Sequence, residues 1–136
     1  MLSKSILIIS DLHTPYHHID SLDFLAAIKK KYKPDTVVNI GDEMDWHSIA
    51  FHDSHPGLYS PSHELIIAKQ FFKSLEKLFP RQYIMDSNHG SLVFRKATRH
   101  GLPHEVFTSY NKMLGVGKGW TWHEDLILKA SNGQKI

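Results

Sequence analysis

The chain lacks cysteine altogether, which excludes a disulfide framework and any metal site built on thiolates. It also lacks an apolar run long enough to cross a bilayer and a recognisable signal peptide, so we expect a cytoplasmic protein without a membrane partner. Its formal net charge of +2 is too small to indicate nucleic-acid binding by itself.

What the chain does contain in excess is histidine, with eleven residues of this type, most of them outside the apolar runs. Histidine is the commonest metal ligand and the side chain that exchanges protons near neutral pH. The remaining composition, with 41% hydrophobic and 22% charged residues, is that of an ordinary globular protein. A length of 136 residues predicts one domain, which spans residues 1–136.

Three short apolar runs rich in β-branched residues predict buried strands. They are Ile6–Ser10, Thr36–Ile40 and Gln82–Met85. Each run is followed at once by polar side chains of the kind that bind metals. These are Asp11 and His13 after the first run, Asp42 and Asp45 after the second, and Asn88 and His89 after the third. Because ligands bind at the carboxyl ends of parallel strands, we expect these groups to surround one crevice.

The segments between and after these runs predict helices and a final hairpin. The expected helices follow Asp20, run from Pro61 behind a Ser60 cap, and cover Ser91–His100 and His104–Leu114. Trp120–His123 and Leu126–Ala130 are expected strands, and Asn132-Gly133 is a strong hairpin signal. The fold class is therefore α/β, with a βαβαβ sheet layer flanked by helices.

The polar groups at the strand ends have the chemistry of a divalent-metal site. Asp11, His13, Asp42 and Asn88 offer oxygen and imidazole donors, a mixture that suits Mn, Fe or Zn better than Ca. Residues two apart on a strand share a face, so we expect Asp11 and His13 to reach one ion. A carboxylate between two ions can bridge them, and two ions can clamp a phosphoryl group during hydrolysis.

The same residues resemble a known family. Asp11-x-His13, Gly41-Asp42-Glu43-Met44-Asp45 and Asn88-His89 are similar to the first three motifs of the calcineurin-like metallophosphoesterases, most closely of their phage-type branch. The resemblance implies a β-sandwich of two sheets flanked by helices and a two-metal site. It implies that Asp11 and His13 hold the first metal, that Asp42 bridges both and that Asn88 holds the second.

The resemblance further implies that His89 acts on the phosphate or the leaving group, with Asp45 as support behind the ligands. Two positions depart from the family pattern, Ser87 where Gly is usual and Gly90 where an acid is usual. Nothing after Gly90 matches the family's later histidine motifs. We therefore expect a domain truncated at its carboxyl end that lacks its last strands and metal ligands. Whether the fragment is active by itself stays open.

The expected function is hydrolysis of phosphate mono- or diesters, with nucleotides or nucleic acids among the candidate substrates. His47, in the long irregular segment 45–62, and Arg95 and Arg99, on a predicted helix, are candidate substrate contacts. The alternative is a non-catalytic interaction domain that keeps the scaffold. A flavodoxin-like nucleotide-binding module is disfavoured because no Gly-rich loop follows the first strand. If the gene is viral, the location is the host cytoplasm.

Overall fold

A computed structural model of the chain describes residues 4–136, which form one sheet with helices packed against it. The strands are β1 (Ile6–Ile9), β2 (Thr36–Asn39), β3 (Gln82–Met85) and β4 (Trp120–His123). The helices are α1 (Ser21–Tyr32), α2 (Pro61–Leu78), α3 (Leu92–Arg99) and α4 (Tyr110–Leu114), with 3-10 turns at His47–Ile49 and His104–Val106. The predicted α/β class is confirmed.

The sheet is entirely parallel, with its strands in the order β1-β2-β3-β4. Short strands joined by helical crossovers favour this arrangement, because a parallel neighbour requires a long connection. All four strands therefore end at the same edge. The loops that carry Asp11, Asp42 and Asn88 leave from this carboxyl edge, as the sequence predicted.

Helix α2 provides most of the core on one face of the sheet. Ser60 caps it as predicted, because its Oγ accepts the His63 N–H and Pro61 occupies the first turn. Phe72 and Leu75 are fully buried on the helix side that faces the strands. Trp120 lies against Phe72, with ring centroids 5.8 Å apart. Its indole N–H donates to the Phe79 carbonyl at 2.9 Å, so this large ring is buried without an unpaired donor.

The opposite face of the sheet is partly open. Ile8 and Tyr83 lie on it by strand alternation and are 58% and 37% exposed. Residues 4–136 contain one sheet and isolated bridges, so the second sheet of the expected sandwich is not among them. Within the same residues, no helix is both long enough and apolar enough to cross a bilayer.

The predicted helix His104–Leu114 is wrong, because the chain is extended in its middle. The 3-10 turn ends at Val106, and Phe107 packs its ring on Phe94 with centroids 5.4 Å apart. Ser109 then starts a separate helix, since its Oγ accepts the Lys112 N–H at 3.3 Å. Aromatic packing and this cap outweigh the helical period of the segment.

The end of the described chain is a hairpin, as Asn132-Gly133 predicted. Leu128 and Ile136 exchange two backbone hydrogen bonds of 2.9 Å each, and Gly133 has a φ of +84°. The expected strand Leu126–Ala130 is not formed as a regular strand, because its pairing with the short returning segment is limited to an isolated bridge at Lys129. Asp20 precedes α1 as predicted, but its side chain makes no capping hydrogen bond.

Shortening the Leu75 side chain tests how much the packing of α2 on the sheet contributes to stability. Leu75→Ala removes a fully buried side chain, so we expect the free energy of unfolding to fall by about 2–5 kcal/mol. Urea denaturation followed by circular dichroism measures this loss. Ile66→Ala on the same helix is the matched control, because Ile66 is 54% exposed and should cost less than about 1 kcal/mol. Equal losses in the two variants would contradict the assigned core.

Candidate metal centre

The loops that follow β1 and β2 lie side by side and continue the pairing of those strands beyond the sheet. The His13 N–H donates to the Asp42 carbonyl at 2.8 Å. Thr14 then pairs in both directions, donating to the Glu43 carbonyl at 2.9 Å and accepting the Asp45 N–H at 3.0 Å. Two sequence motifs about thirty residues apart are therefore fixed against each other by backbone hydrogen bonds.

These loops hold three acidic or imidazole residues in left-handed backbone conformations. Asp11, His13 and Asp42 have φ values of 53°, 46° and 54°. Such conformations are unfavourable for residues with a Cβ and cluster at functional sites. The expectation that Asp11 and His13 meet because they share a strand face is wrong, since β1 ends at Ile9. The turns bring them together instead.

Gly41 makes the close approach of the second loop to the third loop possible. It has a φ of +110°, and a Cβ at this position would lie 2.5 Å from the Ser87 Cβ. The buried Asn39 side chain supports the turn, because its Oδ1 accepts the Gly41 N–H at 3.0 Å. Gly41 therefore allows the sharp turn that directly precedes Asp42.

The side chains of Asp11, His13 and Asp42 converge on one point. The His13 Nε2 lies 3.7 Å from Asp11 Oδ1 and 3.8 Å from Asp42 Oδ2. Asp11 is the most open of the three, with 66% of its side chain exposed, against 19% for Asp42. The Ser10 hydroxyl donates to the other oxygen of Asp11. Two carboxylates and an imidazole nitrogen therefore face a shared, solvent-accessible space.

Asp45 lies behind His13 rather than beside the shared space. Its Oδ1 is 2.8 Å from the His13 Nδ1, and only 18% of its side chain is exposed. A carboxylate at this distance favours the tautomer with the proton on Nδ1, which leaves Nε2 with its lone pair toward Asp11 and Asp42. The position matches the supporting role that the resemblance implies for Asp45.

The third loop is attached to the second through Ser87 and His89. The Ser87 Oγ accepts the Asp42 N–H at 2.9 Å and the Gly90 N–H at 3.1 Å. The His89 N–H donates to the Asp42 Oδ1 at 3.2 Å. Asn88 therefore lies between two residues that contact Asp42 or its backbone, and its own side chain is exposed.

The His89 ring has a defined orientation, although the acid that is usual in the family at position 90 is missing. Its Nδ1 lies 2.6 Å from the Asp45 carbonyl oxygen, which makes Nδ1 the protonated nitrogen. Its ring meets that of His13 edge-on, with centroids 4.7 Å apart. The Nε2 of His89 is left available to a ligand.

Glu43 explains why a glycine stands at position 90. A Cβ on Gly90 would lie 2.9 Å and 3.0 Å from the two carboxylate oxygens of Glu43. Glu43 is buried, and its Oε1 accepts the Trp122 indole N–H at 3.2 Å. Burial, and secondarily the nearby carboxylate of Asp42, raises the pKa of Glu43.

The predicted substrate contacts are not among the side chains that converge on the His13 Nε2. His47 accepts the His55 N–H at its Nε2 at 2.9 Å, so that nitrogen is already used within the irregular segment. Arg95 donates from Nη2 to the Asn88 carbonyl and from Nε to the Ser91 Oγ at 3.3 Å. Arg99 lies one helical turn further along α3, beyond the third loop.

Tyr16 lies in the loop that follows β1, and the sequence did not mark it as a candidate functional residue. Its hydroxyl accepts the Tyr59 N–H at 3.3 Å, and its ring stacks on the Tyr59 ring with centroids 5.8 Å apart. Desolvation and the nearby carboxylate of Glu64 raise the pKa of Tyr16 to about 12, so its hydroxyl stays protonated at neutral pH. The position of Tyr16 shortly after the Asp11-x-His13 motif is the sequence feature that could have indicated its location near the site.

The donor set fits a divalent cation. Asp11, His13 and Asp42 place ligand atoms within 4.8 Å of one another, and so do His13, Asp45 and His89. In the second group the Nδ1 atoms of both histidines already face oxygens of Asp45. The first group, with the free Nε2 of His13, is therefore the better site. Its oxygen and imidazole donors suit Mn, Fe or Zn.

The fold and the site together define an α/β domain with a candidate divalent-metal centre at the carboxyl edge of a parallel sheet. A family model for calcineurin-like phosphoesterases matches residues 4–128, and the chain belongs to this family. No sequence among the curated proteins matches it. The resemblance to the superfamily is thus confirmed, and membership supports metal-dependent hydrolysis of phosphoesters in general. The phage-type branch stays a prediction.

Removal of the Asp45 carboxylate should weaken metal binding without removing a direct ligand. Asp45→Asn replaces the charged acceptor of the His13 Nδ1–H with a neutral and weaker amide oxygen, so we expect affinity for Mn²⁺ to fall by about 10- to 100-fold. Isothermal titration calorimetry measures the affinity. Asp125→Asn, the same change at an exposed position, should leave it unaltered. Unchanged affinity in Asp45→Asn would contradict the supporting role.

Proposed function

We propose that the chain hydrolyses phosphate mono- or diesters at a centre that holds two divalent ions, Mn, Fe or Zn. Asp11 and His13 would hold the first ion, Asp42 would contact both, and Asn88 would hold the second. The observation that supports the proposal most is the convergence of Asp11 and Asp42 on the free Nε2 of His13, at 3.7 Å and 3.8 Å. When bound, such ions neutralise phosphoryl charge and make water a stronger nucleophile at neutral pH.

The chain's own residues would position these ligands before substrate arrives. Asp42 is fixed by the Ser87 hydroxyl at its backbone N–H and by the His89 N–H at its carboxylate. The His13 ring is fixed from behind by Asp45. Ligands held in place in this way lose little freedom when an ion binds, which favours ion binding.

His89 would bind the phosphate or protonate the leaving oxygen. With Nδ1 turned to the Asp45 carbonyl, its Nε2 is the atom that meets the substrate. In its protonated form, Nε2–H can donate to a phosphate oxygen or to the departing alkoxide. The absent acid at position 90 does not prevent this role, because a backbone carbonyl supplies the orientation instead.

The alternative is a non-catalytic interaction domain, which Ser87, Gly90 and the absence of the family's later histidine motifs after Gly90 favour. Both departures have a structural role in the centre: Ser87 caps two backbone N–H groups, and Gly90 leaves space for Glu43. The ligand set within residues 4–136 is still small for two ions. We therefore propose that residues outside these three motifs complete the ligand set. We also propose that the protein acts in the cytoplasm.

Turnover of bis(p-nitrophenyl) phosphate with added Mn²⁺ tests the proposal, in the longest available form of the protein. We expect p-nitrophenol release that EDTA abolishes and that Asp42→Asn lowers at least about 100-fold, because Asp42 contacts the centre directly. Asp125→Asn is the control and should retain activity. Metal binding without turnover would instead support the interaction domain.

The role of His89 can be separated from a structural one by the leaving group. His89→Gln should lower kcat by about 10²- to 10⁴-fold for an alkyl diester, whose leaving oxygen needs a proton. The loss should be much smaller for the p-nitrophenyl ester, which leaves as a stable anion. Equal losses of kcat for both esters, with unchanged thermal unfolding, would contradict general-acid action. The remaining role of His89 would then be to bind the phosphate.

A further inference from the structure

An exposed aromatic ring beside helix α3 is surrounded by three cations. Phe51 follows the 3-10 turn His47–Ile49 and is 48% exposed. The Nζ of Lys96 lies 4.8 Å from the centre of its ring, and the Cζ atoms of Arg99 and Arg95 lie at 5.0 Å and 5.8 Å. These distances are in the range of cation–π contacts. We call these four residues the Phe51 patch.

The positive charge of the Phe51 patch is not neutralised by the protein. In the part of the chain that the structure describes, no carboxylate forms an ion pair with Arg95, Lys96 or Arg99. Their polar partners are uncharged: Lys96 donates to the Ala50 carbonyl at 3.0 Å, and Arg95 donates to the Ser91 hydroxyl. Three cations this close repel one another, so an anion bound among them would be favourable.

The Phe51 patch is linked by a hydrogen bond to the loop that carries Asn88. Arg95 donates to the backbone carbonyl of Asn88, the proposed ligand of the second ion. Helix α3, which carries all three cations, begins at Leu92 immediately after the third loop. A substrate whose scissile phosphate lies at the centre would therefore extend over the patch if it carried further phosphates.

We propose that the Phe51 patch binds single-stranded nucleic acid, with phosphates that neighbour the scissile one on the three cations and an unpaired base against Phe51. The inference rests on the proposed function and names its substrate class. Repeated phosphates match several unpaired cations, and an open aromatic ring among them is the arrangement that single-strand binders use. A phosphopeptide offers no comparable series of charges and no planar base.

Binding of a fluorescent single-stranded oligonucleotide in EDTA, followed by fluorescence anisotropy, tests the patch without hydrolysis. Phe51→Leu keeps apolar bulk but removes the aromatic face, so we expect the Kd to rise at least about five-fold. Arg99→Gln should weaken binding and reduce the slope of log K against log salt by about 0.7, the value for one lost phosphate contact on a single strand.

Arg81→Gln is the matched control for Arg99→Gln. Arg81 is also exposed, but it directly precedes β3 and so lies at the opposite edge of the sheet from the patch. It should leave the Kd and the salt slope unchanged. Equal effects of the two arginine variants, or no effect of Phe51→Leu in a folded protein, would overturn the inference.

A doubly phosphorylated peptide serves as a competitor in the same assay. We expect it to displace the oligonucleotide poorly, and displacement at equal concentration would overturn the nucleic-acid assignment in favour of a phosphoprotein. Failure here is distinguishable from failure of the proposed function. Turnover of bis(p-nitrophenyl) phosphate without patch-dependent binding would refute only this inference, whereas patch-dependent binding without turnover would refute the hydrolase and leave the patch as a nucleic-acid-binding surface.

Discussion

The backbone pairing between the loops after β1 and β2 is the constraint on which the candidate centre depends. The hydrogen bonds from His13 to Asp42 and from Thr14 to Glu43 extend the sheet past its last regular residues. They hold Asp11, His13 and Asp42 in left-handed conformations that cost about 1–3 kcal/mol each when unsupported. The sheet and its α2 core supply the stability that makes this strained arrangement possible.

The departures from the family pattern form a consistent set when their contacts are considered together. Ser87 ties the third loop to Asp42 through its hydroxyl, which a glycine could not do. Gly90 leaves room for the buried carboxylate of Glu43, and the Asp45 carbonyl orients His89 in place of an acid. These contacts give each departure a structural role within the candidate metal centre.

The sequence predicted the strands and the long helices because their hydrophobic periods and caps are local signals. The Ser60-Pro61 start of α2 is one example, and the polar residues after each strand are another. The break at Phe107 was not predictable, since it depends on packing against Phe94, a contact between separate segments. For the same reason the left-handed turn at His13 and the buried position of Glu43 became apparent only from the fold.

Anomalous scattering from crystals grown with Mn²⁺ would locate the ions that the centre binds. We expect a peak within coordination distance of Asp11, the His13 Nε2 and Asp42, with a second peak beyond Asp42 toward Asn88 if two ions bind. A protein that crystallises with Mn²⁺ at other positions, while these side chains stay without metal, would contradict the proposed metal centre.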